Sequence, residues 1–142
     1  MSDQAEPKKH EGGCFCGRTR FTIFAEPNFA SYCHCHDCRA ASGAAVNAFI
    51  GFPTSALVWQ GEPLAEYQSS KTVVRTFCPE CGTSVSYTDA KLPENIYLYV
   101  GVMDEPEQYP MESHSHIKSK LSWLHINDEL PQIDGTAAPR DE

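Results

Sequence analysis

All seven cysteines of this chain fall into three short clusters, and that pattern constrains the fold more than any other feature. Cys14-Phe15-Cys16 is a CxC, Cys33-His34-Cys35-His36-Asp37-Cys38 a CxCxxC, and Cys78-Pro79-Glu80-Cys81-Gly82 a CxxC followed by glycine. Two residues between cysteines make a tight turn that aims both sulfurs at one point, and a glycine just behind lets the backbone curl without a Cβ clash. The first ten residues have no apolar core and do not read as an export signal, so a reducing cytoplasm is expected. Disulfides are rare there, which leaves metal binding or thiol chemistry. A closed structural zinc site takes four ligands, with sulfur at about 2.3 Å, whereas three protein ligands and an open position characterise catalytic zinc. Seven thiols divide most simply into Cys14, Cys16, Cys78 and Cys81 as the closed set and Cys33, Cys35 and Cys38 as the open one. A ribbon-type site on Cys35, Cys38, Cys78 and Cys81 satisfies the same spacing and leaves Cys14, Cys16 and Cys33 free. A thioredoxin-like redox pair would need a βαβ pattern around the CxxC, and none is present.

The rest of the sequence describes a β-rich domain. Its 142 residues suit one core, and a chain of this size buries about two thirds of its unfolded surface. A 41% hydrophobic fraction excludes a disordered chain. No apolar run approaches the roughly 18 residues of a spanning helix, so no membrane association is expected. Eleven Lys and Arg against nineteen Asp and Glu give a net charge of −8. That balance argues against nucleic acid as a partner, because phosphate binding relies on basic clusters. β-prone runs lie at 20–24, 46–52, 72–77, 84–88 and 96–100, separated by most of the prolines and glycines. Helical periodicity is confined to short turns at 37–41 and 106–109. Residues 1–11 and 134–142 read as flexible tails around a zinc-binding domain at 12–133.

The motifs Gly12-Gly13-Cys14-Phe15-Cys16-Gly17, Tyr32-Cys33-His34-Cys35-His36-Asp37-Cys38-Arg39 and Arg75-Thr76-Phe77-Cys78-Pro79-Glu80-Cys81-Gly82-Thr83 stand in a particular order. With Trp59, Gly101-Val102-Met103-Asp104 and Ser119-Lys120-Leu121-Ser122-Trp123, this order resembles the glutathione-dependent formaldehyde-activating enzyme family, which includes the centromere protein V domain. The resemblance implies a β-tent of short antiparallel strands. It also implies two Zn2+ per chain, a structural one on Cys14, Cys16, Cys78 and Cys81 and a catalytic one on Cys33, Cys35 and Cys38. The activity it implies is that of a carbon–sulfur lyase joining or splitting glutathione and formaldehyde, or a related thiol and aldehyde. His114 matches a histidine of the family pattern and is expected in the pocket as the catalytic residue, with His116 as its neighbour.

A zinc-bound thiol is deprotonated, and addition of sulfur to a carbonyl builds negative charge on oxygen that needs a donor. His34 and His36, inside the metal loop, are expected to shape it and hydrogen-bond the thiolates. Arg39, Lys71, Arg75, Lys118 and Lys120 are candidate partners for the glutathione carboxylates, although surface charge is the commoner role. Trp59, Trp123, Tyr97 and Tyr99 read as core. Two other functions suit the same residues. One is a non-catalytic zinc module for protein partners. The other is a reductase like the B-type methionine sulfoxide reductases, which needs a cysteine free of metal.

Overall fold

The computed structural model describes residues 8–136 and is mainly β. Strands β1 (His10–Gly13), β2 (Thr19–Ile23) and β5 (Leu57–Gly61) form a small antiparallel sheet in the order β1-β2-β5. The larger sheet has seven strands in the order β10-β3-β4-β9-β8-β7-β6. Its members are β3 (Phe29–Cys33), β4 (Asn47–Pro53), β6 (Ala65–Gln68), β7 (Val73–Phe77), β8 (Ser84–Asp89), β9 (Asn95–Tyr99) and β10 (His114–Ser115). Among the described residues every pairing between these strands is antiparallel except β10 with β3, which is parallel and departs from the all-antiparallel expectation. One α-helix, α1 (His36–Ser42), spans the expected turn at 37–41, and a 3-10 turn at Pro106–Gln108 meets the second. No helix among the described residues is long and apolar enough to cross a membrane.

Successive residues of a strand face opposite sides, and in the central strands both sides are used. Ile50 and Phe52 of β4, Val85 of β8 and Leu98 of β9 join Phe21 and Ile23 of β2 in the main core, between the two sheets. Their strand neighbours Phe49, Tyr97 and Tyr99 pack on the far face, with Tyr87 of β8, around Cys33 and Cys38. The β4 and β9 runs are therefore apolar nearly throughout, which is why they are legible in the sequence, whereas β8 (Ser84-Val85-Ser86-Tyr87-Thr88-Asp89) is mostly polar. Tyr97 stacks on Tyr87 at 4.9 Å and 21°, and Phe49 meets Tyr87 edge-on at 5.0 Å.

Three features depart from the sequence reading. β1 begins at His10, ahead of the expected boundary at residue 12; His10 is buried, its Nδ1 2.6 Å from the Tyr109 hydroxyl. At the other end, the His116 N–H donates to the Gly135 carbonyl at 2.9 Å, inside the span expected as a tail. The remainder of the two expected tails, residues 1–7 and 137–142, lies outside the described residues. Trp59 and Trp123, expected in the core, are 42% and 65% exposed. Trp59 sits on an edge strand and covers Phe21 from outside, at 5.6 Å and 77°.

Gly61 closes β5 with a φ of +88°, and a Cβ there would fall on the Arg18 carbonyl oxygen. That carbonyl accepts the Glu62 N–H at 2.9 Å, beside the loop carrying Cys14 and Cys16. Gly61→Ala combines left-handed strain with a backbone clash, so it should lower stability by about 2 kcal/mol or more, read as a fall in the chemical-denaturation midpoint.

Candidate functional site

The seven sulfurs gather as four and three. Cys14 and Cys16 occupy the β1–β2 turn, and Cys78 and Cys81 the β7–β8 turn, and all four sulfurs lie within 4.8 Å of one another. Local chemistry bends both turns. Gly17 and Gly82 each adopt φ +80°, and the Gly17 and Gly82 N–H groups donate to the Cys14 and Cys78 carbonyls at 3.0 and 2.8 Å. The register of β7 against β8 shifts between Thr76 and Phe77, just before Cys78, as a bulge does when it re-aims a strand end. The Phe15 N–H donates to Thr83 Oγ1 at 3.0 Å and ties one turn to the other. Hydrogen bonds from the Thr83 hydroxyl and backbone bring the Cys81 thiol down to about 5.

The donor set suits a tetrahedral metal. Four sulfurs at about 2.3 Å from a common centre stand about 3.8 Å apart; Cys14–Cys16 and Cys16–Cys78 are 3.7 and 3.8 Å. All seven cysteines are free thiols. The ribbon-type grouping does not form, since Cys35 and Cys38 converge with Cys33 instead.

Cys33 ends β3, Cys35 caps α1 and Cys38 lies in its first turn, where the Cys38 N–H donates to Cys35 Sγ at 3.3 Å. Their sulfurs also lie within 4.8 Å of one another, with Cys33 and Cys38 at 3.6 Å. Hydrogen bonding from Cys33, and then from Cys38, holds Cys35 as the thiolate with a pKa of about 2, and the same contact pushes Cys33 upward. Among the described residues no histidine, aspartate or glutamate joins this set as a fourth ligand. The cluster instead borders a cavity of about 210 Å³, closed by Phe49, Tyr87, Arg75 and Asp89 of the sheet and by Ser115 and His116 of the β10 segment. His116 is there in a left-handed conformation, φ 55°, which non-glycine residues adopt at a cost of order 1–3 kcal/mol and mostly at functional positions.

His114 lies elsewhere. It is buried one residue from the cavity wall and is not among the residues that line it. Its Nδ1 is 2.9 Å from His34 Nε2, and its Nε2 is 3.0 and 3.2 Å from the Asp128 carboxylate oxygens. Tyr32 stacks on the ring at 4.8 Å. With Asp128 as acceptor, His114 donates through Nε2–H, and its Nδ1 shares a hydrogen bond with His34 Nε2. His34 Nδ1 is buried and has no hydrogen-bond partner among the described residues. Burial, followed by the charges of His114, Lys120 and Arg39, lowers the His34 pKa and keeps the ring neutral. His36 points outward, 81% exposed, beside Asp37.

Sequence reasoning undervalued Arg75. Its Nη1 and Nη2 donate to Cys38 Sγ at 3.8 and 3.7 Å, its Nε donates to Ser69 Oγ at 3.1 Å, and its guanidinium lies 5.3 Å from the Tyr87 ring centroid. The signal was its place one alternation ahead of Phe77-Cys78 on a strand paired to Tyr87. Of the other candidate cations, Arg39 donates to the carbonyls of His34 and Ser119, Lys120 to those of Leu121 and Leu124, and Lys118 pairs with Asp134.

Fold and site together define a mainly β protein with one closed and one open cysteine cluster, each able to bind zinc. Residues 9–119 match the glutathione-dependent formaldehyde-activating enzyme family, and the chain belongs to it. A Schizosaccharomyces pombe protein named only as an uncharacterized lyase is 32% identical over 98 residues, 66% of this chain and 71% of the relative. A crystal structure of a Rhodobacter sphaeroides protein shares the fold with a TM-score of 0.55 and 23% identity, over 86% of this chain and 98% of the other. Membership carries a lyase-type function of a glutathione-related kind.

Two outcomes follow. Metal binding to four thiols is itself folding free energy, of order 10 kcal/mol or more in small domains. Cys78→Ser should therefore leave little soluble folded protein, as judged by expression yield and near-UV circular dichroism. Removing a partner that hydrogen-bonds a ligand typically costs about 10- to 100-fold in metal affinity. Arg75→Met should lower the affinity of one zinc equivalent by that factor in a chelator competition and leave the second unchanged.

Proposed function

We propose that the chain is a zinc-dependent carbon–sulfur lyase that joins or splits a thiol and formaldehyde or a related aldehyde, with glutathione as the thiol the family description supplies. The observation that carries this reading is the open cluster: three thiols and no fourth ligand among the described residues, facing a cavity large enough for a small substrate. In this reading Cys14, Cys16, Cys78 and Cys81 hold a structural zinc, and Cys33, Cys35 and Cys38 a catalytic one. A zinc ion at the open cluster supplies a position where a thiol ionises at neutral pH and is oriented.

The chain's own residues do the rest. Arg75 holds Cys38 in place, and the helix cap fixes Cys35. Phe49 and Tyr87 form the cavity's aromatic wall and exclude water from the reacting sulfur. In the forward direction the thiol sulfur forms a bond to the carbonyl carbon, the C=O π pair moves to oxygen, and that oxygen takes one proton for the one the thiol lost. The reverse step breaks the same carbon–sulfur bond, and no further reactant is needed. Ser115 and His116 are the polar groups of the β10 segment that face the developing oxyanion. His114 serves as a positioning residue: through His34 and Asp128 it fixes the segment that carries both cluster and wall.

Cobalt loaded into both clusters tests the reading. Added thiol should strengthen a sulfur-to-cobalt charge-transfer band saturably, with release of a proton, in the wild type but not in Cys35→Ser. A spectrum indifferent to thiol would favour the non-catalytic zinc module.

A further inference from the structure

The cavity beside the open cluster is small. At about 210 Å³ it lies below the roughly 300–1,000 Å³ of pockets that enclose drug-sized ligands, so it holds a reacting sulfur and a small aldehyde and little more. A second recess, of about 430 Å³, adjoins it and falls within that range; its walls include Ala41, Tyr67, Arg75, Phe77 and Tyr99. Strand register explains the shared face. Tyr67 of β6 stands opposite Arg75 of β7, and Phe77 follows Arg75 by two residues, so all three project to the side where Arg75 meets Cys38. Ala41 lies three residues after Cys38 on α1, on the same helix face. Tyr99 packs with Cys33 and Cys38. Among the described residues Arg75 is the one side chain common to both walls, with Tyr87 on its cavity side and Tyr67 on its recess side.

The recess is aromatic in character. Tyr67 and Phe77 are 65% and 36% exposed, and large rings gathered at the surface within a polar rim mark a ligand groove or a contact site. Its cation is already engaged, since Arg75 donates to Cys38 and to Ser69. A guanidinium held in that way, 5.3 Å from the Tyr87 ring centroid, suits ring stacking better than capture of a carboxylate. We infer that the recess receives an aryl group carried by the substrate thiol. The sulfur sits at Cys33, Cys35 and Cys38, a short linker crosses Arg75, and the ring lies among Tyr67, Phe77 and Tyr99. The inference rests on the thiol-accepting cluster proposed above and refines the class of thiol to an arylalkyl one. Continuity through Arg75 and Tyr99 makes the substrate itself the occupant of the recess.

The cobalt-loaded full chain tests this by titration with 2-mercaptoethanol, 2-phenylethanethiol and glutathione, read at the charge-transfer band. 2-Phenylethanethiol should bind at least about tenfold more tightly than 2-mercaptoethanol, and more tightly than glutathione, because its ring leaves water for an aromatic surface. Tyr67→Ala should cut the preference for 2-phenylethanethiol over 2-mercaptoethanol by about threefold to tenfold, and Tyr67→Phe should retain it. A preference that survives Tyr67→Ala in full would place the ring in the inner cavity and overturn the inference. Equal weakening of both thiols would make Tyr67 structural and overturn it as well. Should Tyr67→Ala fail to fold, the ranking of the three thiols in the wild type decides. Tighter binding of glutathione than of 2-phenylethanethiol, or equal binding of the two small thiols, overturns the aryl site and leaves the thiol reading standing. A band that no thiol alters overturns both.

Discussion

Four sulfurs contributed by two different sheets are the junction on which the structure depends. Cys14 and Cys16 come from the turn of the three-stranded sheet, and Cys78 and Cys81 from a turn of the seven-stranded one, so their convergence fixes how one sheet meets the other. The apolar layer between the sheets, with Phe21, Phe52 and Leu98 at its centre, lies next to that junction and includes Cys14 and Cys78 themselves. A domain of this size gains only a modest hydrophobic surplus over chain entropy, and a metal held by these four sulfurs would add what a small interior lacks.

The second cluster depends on the first through strand alternation. Once Ile50, Phe52 and Leu98 face the inter-sheet core, Phe49, Tyr97 and Tyr99 must face away from it. The far face thereby becomes an aromatic floor, and Cys33 and Cys38 pack on it. Arg75 reaches the same face from β7 and touches both a ring and a sulfur. Core and site are two sides of the same strands, and a slip of one residue in β4 would exchange them.

Much of this was legible in the sequence, for definite physical reasons. Cysteine spacing made the local ligand pairs legible, but it left the four-and-three division open against a ribbon-type grouping until the sulfurs were seen to converge. β2, β4, β7, β8 and β9 were visible because β-prone residues cluster where strands are covered. β1, β5 and β6 were not. β1 reads His-Glu-Gly-Gly, and β5 and β6 are largely exposed edge or near-edge strands, so burial imposes no pattern on them. β3 was hidden because its last residue belongs to a metal motif, which drew the reading toward a loop. The His34–His114–Asp128 chain spans separations of 80 and 14 residues that spacing alone cannot join. Arg75 looked like any surface cation because nothing local announces that a guanidinium will meet a sulfur 37 residues away.

The parallel attachment of β10 to β3 has an evolutionary consequence. Ser115, His116 and Thr136 come from the last stretch of the described chain, which reaches the sheet through two paired positions and a few backbone hydrogen bonds to residues 131–135. They form one wall of the cavity and contribute no apolar side chain to either packed interior. A lineage can thus reshape the cavity's rim at Thr136 without disturbing either packed interior, whereas Ser115, buried beside Cys33 with its hydroxyl 2.8 Å from that of Ser31, is held by the fold.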